Sequence, residues 1–230
     1  MKIGIIVPNV NMTQQELAER KRFVLRVCNP DTEIEMIKNE KGPVTVESEL
    51  DQHEASVQVV RAMIRLQKEG FDAFIPWCTG DPGVIAGREQ VRVPVVGPFQ
   101  SSCLIAASLG FKFSIITPVM NRHLLELQVK FLGLYDRLAT ICELSLTVPE
   151  LRQDMVKTVS LVERLCKETA QQTGTEAFVM NCMGLFGVAE QIKDRFPIPV
   201  IDPAWAAVQM AQAIVRMGLT HSPPAWGHPG

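Results

Sequence analysis

The chain has 230 residues, of which 47% are hydrophobic and 21% charged, and carries a net charge of −2. That length suits one long domain or two small ones, and the composition is that of a folded globular protein rather than a disordered one. The near-neutral balance, with basic residues scattered and no basic stripe interleaved with aromatics, argues against nucleic acid or an anionic membrane as partner.

The apolar start, Met1–Val7, is too short for the h-region of a signal peptide. No run approaches a membrane span, so a cytoplasmic setting with reduced thiols is expected. The six cysteines show neither a Cys-x-x-Cys pair nor a Cys/His ligand spacing, which argues against a zinc site or a thioredoxin-like motif.

Taken in chain order, residues 2–7 read as a buried strand ended by Pro8-Asn9. Thr13-x-x-Glu16 is a capping box that opens a helix to about Val27. A short strand is expected at Glu33–Ile37. Lys38–Asp51 is polar, contains Gly42 and Pro43, and has no helical period, so it reads as a surface connection or a loop over the site. Val57, Val60 and Ile64 predict the apolar stripe of a helix over Glu54–Glu69, stopped by Gly70. A strand over Phe71–Trp77 follows, then Cys78 in a turn, with Asp81 as N-cap and Pro82 as first residue of a helix to Gln90. Pro94–Gly97 is a predicted strand and Gln100–Leu109 a small-residue helix closed by Gly110.

Lys112–Pro118 echoes Lys2–Pro8, and Thr117-Pro118 is expected to cap a helix reaching Leu132. A strand near Thr140–Leu146 precedes a second capping box, Thr147-x-x-Glu150, whose helix carries Leu151, Met155, Val159, Val162 and Leu165. Ala177–Asn181 reads as the strand before Cys182, Val188–Arg195 as a helix and Pro199–Ile201 as a strand. Asp202-Pro203 opens the last helix, which ends at Gly218. The Pro-rich His221–Gly230 reads as a tail suited to packing on another subunit, in keeping with a homo-oligomer.

The alternation of strands and helices predicts α/β architecture with parallel sheets. Asp72/Glu176, Ala73/Ala177, Phe74/Phe178, Ile75/Val179, Cys78/Cys182, Gly80/Gly184 and Gly83/Gly187 all stand 104 positions apart. Two similar lobes related by a pseudo-twofold axis are therefore expected, with the site in the cleft between them. Residues 1–98 plus 203–230 form the first lobe and 99–202 the second.

A single cysteine at a strand end is ordinarily a small buried apolar residue. Two in register within a repeat point instead to function. Cys28, Cys103, Cys142 and Cys166 lie inside helix or strand patterns and read as structural. The other strand-end turns bring Asn9, Asn11 and Thr117 toward the cysteines, although Asn and Thr are also ordinary turn residues. Trp77 and Phe99 fit either core or pocket wall. His53 has no partner spacing, His123 reads as a surface residue, and His221 and His228 are expected to be solvated in the tail. The chain has no Gly-x-Gly-x-x-Gly after the first strand, no Walker-type loop and no Gly-x-Ser-x-Gly elbow.

The segments Pro8-Asn9-Val10-Asn11, Cys78-Thr79-Gly80-Asp81-Pro82-Gly83, Val93-Pro94-Val95-Val96-Gly97, Asn181-Cys182-Met183-Gly184 and Pro199-Val200-Ile201-Asp202-Pro203 carry a resemblance. Together the chain resembles the aspartate/glutamate/hydantoin racemase superfamily, most nearly its hydantoin and allantoin racemases. The resemblance implies a cofactor-independent enzyme acting on a small molecule, a 5-substituted hydantoin or a related cyclic ureide. Cys78 and Cys182 would then be the acid and base at the α-carbon. Asn9, Thr79, Thr117 and Gly184 would contact substrate polar atoms, with Asn11, Trp77, Gly80, Asn181 and Met183 around them. Thr79, Asn181, Met183 and Gln100-Ser101 depart from the family's usual residues at those places. Two other readings stand beside this one: a maleate isomerase or arylmalonate decarboxylase-like enzyme of the same superfamily, and a two-lobed small-molecule binding protein.

Overall fold

The structure is a computed structural model that describes residues 1–118 and 121–227. The chain divides into two compact units, one of Met1–Pro98 with Ala207–Gly230 and one of Phe99–Ala206. Each is built on a parallel sheet flanked by helices.

The first unit runs β1 (Lys2–Val7), α1 (Gln14–Leu25), β2 (Glu33–Lys38), α2 (Glu49–Leu66), β3 (Ala73–Pro76) and α3 (Val84–Gln90). Its strands lie in the parallel order β2-β1-β3, with Ile3 opposite Ala73 and Ile6 opposite Pro76. β1 is central, and Ile3, Ile5, Ile6 and Val7 are wholly buried, as a strand covered on both faces requires. Thr13 and Glu16 form the expected reciprocal capping box on α1, a device worth about 1 kcal/mol.

The structure revises several sequence expectations here. α2 begins at Glu49 rather than Glu54, because Ser48 and Asp51 form a capping box of their own. Its buried face is Ala55, Val59, Ala62, Met63 and Leu66. Val57 and Ile64 are exposed and Val60 only half-buried, so the three residues that suggested the stripe flank the true one. Asp81 does not cap α3: it has φ +52°, and the helix starts from Gly83 at φ +74° with no side-chain cap. Pro94–Gly97 is not a strand of its own; Val95 makes a single parallel bridge to Phe74. The Phe74 N–H donates to the Pro94 carbonyl (2.9 Å), and the Val96 N–H donates to the Phe74 carbonyl (2.9 Å).

The second unit contains α4 (Pro98–Leu109), β4 (Phe113–Thr117), α5 (Arg122–Phe131), β5 (Leu138–Glu143), α6 (Glu150–Gln153), α7 (Met155–Thr173), β6 (Ala177–Met180), α8 (Val188–Ile192) and β7 (Val200–Ile201). α9 (Pro203–Arg216) begins in it and crosses the boundary back to the first unit. The parallel sheet has the order β5-β4-β6-β7. One face packs Phe99, Cys103, Val129 and Val179, and the other packs Leu151, Val162, Phe178 and Ile192. The cap of α5 is Asn121, whose side chain accepts the Leu124 N–H (3.4 Å), so Thr117 closes β4 instead of opening the helix. The expected single helix after Thr147 is two. Glu150 accepts from the Thr147 N–H and hydroxyl (both 2.7 Å), but the chain breaks at Asp154, whose carboxylate accepts the Lys157 N–H (2.9 Å) and starts α7.

The described part of the tail packs on its own unit. α10 (Pro223–Trp226) carries Trp226 5.2 Å from the Arg88 guanidinium. The expected solvation of His221 is revised: the residue is half-buried, and its Nε2 accepts the Val95 N–H (2.6 Å). His228 lies outside the described residues.

Candidate active site

Cys78 sits half-buried just beyond β3. The strand hands the chain over through the Trp77 N–H, which donates to the Ile6 carbonyl on β1 (2.7 Å). The chain then curls back: the Gly80 N–H donates to the Cys78 sulfur (3.4 Å), and the Asp81 N–H donates to the Cys78 carbonyl (3.1 Å). An N–H aimed at sulfur stabilises negative charge there. Two residues of α2 hold this turn. Gln52 donates its side-chain amide to the Gly80 carbonyl, and the Ser56 hydroxyl accepts the Gly83 N–H (3.1 Å).

Cys182 repeats the arrangement beyond β6. The Asn181 N–H donates to the Ile116 carbonyl (2.7 Å), the Gly184 N–H to the Cys182 sulfur (3.3 Å) and the Leu185 N–H to the Cys182 carbonyl (3.0 Å). Here the support differs. The Gly187 N–H donates to the Asp202 carboxylate (2.7 Å), and Gly184 packs against Leu151. The other Asp202 oxygen accepts from the Ala204 and Trp205 N–H groups (2.9 and 3.4 Å), the capping role expected from sequence. Burial pushes Asp202 up to about 6, against these three N–H donors.

The other candidate residues fall into two local groups. In the first unit, Asn9 is half-buried and donates to the Val44 carbonyl (3.3 Å), and Asn11 is exposed. The 39–47 loop therefore rests on the turn that ends β1: the Val10 N–H donates to the Pro43 carbonyl (3.1 Å), and a Cβ on Gly42 would meet the Pro8 carbonyl at 2.8 Å. Trp77 and Thr79 are buried on either side of Cys78. In the second unit, Thr117 is buried and its hydroxyl accepts from the Asn181 side-chain amide (3.4 Å), beside Cys182. The Asn181 Oδ1 is buried without a hydrogen-bond partner, a costly state that a bound N–H would relieve. Met183 is buried and Gly184 half-buried.

Of the remaining thiols, burial pushes Cys28 up to about 11 and Cys166 up to about 12, and raises Cys142. Cys103 is wholly buried. Cys166 is likewise buried, while Cys28 and Cys142 are half-buried. His53 and His123 are exposed. No cluster of three or more His, Cys, Asp or Glu residues fit to hold a metal ion occurs among the described residues, and no helix there is long and apolar enough to cross a membrane. Gln52 and Ser56 were not visible in the sequence. They lie one helical turn apart on α2, and no local motif marks them.

Two parallel α/β sheets, with a thiol turn after the third strand of one and the corresponding strand of the other, define a racemase-type architecture. Residues 3–211 match the family described as Asp/Glu/Hydantoin racemase, and the chain belongs to that family. It is 32% identical over 222 residues to the hydantoin racemase of Paenarthrobacter aurescens, covering 95% of this chain and 92% of that protein. The structure of an allantoin racemase from Klebsiella pneumoniae matches with a TM-score of 0.92 at 26% identity, covering 100% of this chain and 94% of that one. The maleate isomerase Iso from Pseudomonas putida S16 shares the fold, with a TM-score of 0.69 at 16% identity and coverage of 95% and 93%.

Proposed function

We propose that the chain is a cofactor-independent racemase of a 5-substituted hydantoin or a related cyclic ureide such as allantoin. The observation that carries this reading is the pair of matched turns, each directing a glycine N–H at a half-buried thiol, in a chain whose relatives are named for those activities. One thiolate takes the proton from the α-carbon. The electron pair passes to the adjacent carbonyl oxygen, and the other thiol returns a proton to the opposite face of the planar intermediate. Each turnover leaves one thiol deprotonated and the other protonated, so the next passes in the reverse direction or after proton exchange with water.

Asn9, Asn11, Thr79, Gly80, Thr117 and Gly184 are the proposed polar contacts, with Trp77 and Met183 as apolar wall. Asn181 supports the ureide reading most directly, since its unpartnered Oδ1 accepts from a ring N–H. The chain acts in the cytoplasm as a homo-oligomer, a reading supported by the exposed Phe111, Phe131 and Leu109 of the second unit.

The test is a panel of chiral hydantoins, allantoin and maleate, assayed with a thiol reductant. Loss of optical rotation for a ureide, with deuterium entering the α-carbon in D2O, is the expected result. Cys78→Ser and Cys182→Ser each lower racemisation by about 100- to 10,000-fold. Turnover of maleate alone, or full racemase activity in either single variant, overturns the reading.

A further inference from the structure

We propose that Gln52 is the positioning residue of the Cys78 thiol: by holding the Gly80 carbonyl, it keeps the Gly80 N–H directed at the sulfur. The inference rests on the reading of Cys78 as a reactive thiol and deepens it.

Gly80 has no side chain to fix its backbone, and a glycine between two peptide planes swings more freely than any other residue. The Thr79–Gly80 plane carries the N–H that meets the Cys78 sulfur at 3.4 Å. The next plane carries the carbonyl that Gln52 grips through its Nε2. Gln52 also explains why residue 80 is glycine, because its amide fills the space that a Cβ would enter. The freedom glycine brings is thus removed by the residue that demands glycine.

The grip is anchored at both ends. Ser56, one turn further along α2, accepts the Gly83 N–H (3.1 Å) and donates to the Gln52 carbonyl (2.7 Å). A Cβ on Gly83 would stand 3.0 Å from the Ser56 carbonyl, so the turn lies directly against the helix. α2 itself is fixed by Ala55 and Val59, both wholly buried, on either side of this contact. The Cys182 turn is built differently. There the neighbour of the equivalent glycine is the apolar Leu151, with its Cδ1 3.1 Å from a Cβ placed on Gly184. Loss of Gln52 therefore acts on one thiol and spares the other, which serves as an internal reference.

The experiment measures iodoacetamide alkylation of Cys78 and Cys182 in the same full-length protein, by peptide mass spectrometry across pH. In Gln52→Leu the Cys78 rate at neutral pH falls about tenfold and its rise moves to higher pH, while Cys182 stays within about twofold. Gln52→Met keeps the length of the side chain without its donor and gives the same result if the leucine variant does not fold. Unchanged Cys78 reactivity, or an equal change at both thiols, overturns the proposal, as does a Cys78 that fails to react at any pH in the unaltered protein. The two readings separate cleanly. A selective loss at Cys78 without turnover of any ureide sustains Gln52 and removes the substrate; ureide turnover with no selective loss does the reverse.

Discussion

The Cys78 and Cys182 turns share their main-chain bonds and differ in the side chains that brace them. Both strands receive the same long-range link before the thiol, Trp77 to Ile6 and Asn181 to Ile116, each at 2.7 Å. Both sulfurs accept the N–H two residues on, and both turns end in a glycine of positive φ, +74° at Gly83 and +82° at Gly187. Yet the N–H of Gly83 goes to a neutral hydroxyl and that of Gly187 to a carboxylate. The carboxylates themselves have changed places. Val95 and Val200 bridge to Phe74 and Phe178, which makes Gly97 the counterpart of Asp202. A Cβ at Gly97 would run into the carboxylate of Asp81, so one unit sends its acid from the thiol turn and the other from the neighbouring strand end. The lesson is that the main chain sets the geometry at sulfur, and the bracing comes from whichever side chain reaches it.

The largest effect that separates the two braces is on stability. Asp202→Ala leaves three N–H groups around a buried site without their acceptor, at a cost of about 3 kcal/mol or more. Ser56→Ala leaves one and costs about 1 kcal/mol. Urea unfolding of the two variants checks the order. Equal losses would mean that the Asp202 contacts are no more than a second version of the Ser56 contact.

A smaller contrast lies in the glycines that point at sulfur. Gly80→Ala must push aside the hydrogen-bonded Gln52 amide, an overpacking cost of about 1–3 kcal/mol. Gly184→Ala meets the free end of Leu151 at 3.1 Å, which yields by a few tenths of an ångström, and the Cys182 sulfur at the ordinary contact distance of 3.4 Å, so its cost stays below about 1 kcal/mol. Thermal unfolding of the pair decides it, and a Gly184→Ala variant the weaker of the two would contradict the assignment of the braces.

These braces also mark the limit of what the sequence discloses. The thiol turns were legible because strand, cysteine and glycine recur at one spacing, and Asp202 was legible as a cap because Asp-Pro before a helix is local chemistry. Asp81 misled for the same reason: Asp-Pro looks like a cap, but the left-handed conformation at Asp81 delays the helix to Val84. On α2, valines and isoleucine drew the stripe one position off a face made of Ala55, Val59, Ala62 and Met63, since small residues carry little hydropathy yet pack closely. Gln52 and Ser56 act through contacts with residues 27 and 28 positions away, and no periodicity reports such a meeting.

The smallest contrast is one of pH. Asp202 has an ordinary value of 3.8, raised to about 6 in the fold by burial, with Glu190 adding to the rise. Between those values the folded chain holds a proton that the unfolded chain has released, so protonation favours the fold. This stabilisation is fully present below 3.8, falls as pH rises, and is gone above about 6. Protonation leaves one oxygen able to accept from each side of the turn, so the bracing survives it. Relative to Asp202→Asn, which does not titrate, the unaltered protein should gain on the order of 1 kcal/mol as pH drops from 7 to 5. The Ser56 hydroxyl does not titrate in that window, so the difference between the unaltered protein and Ser56→Ala should be flat across it. Urea midpoints at pH 5, 6 and 7 for the three proteins measure both slopes at once. Parallel curves for the unaltered protein and Asp202→Asn would mean that the three N–H donors outweigh burial and hold Asp202 charged throughout, which would leave the two thiol turns alike in their response to acid.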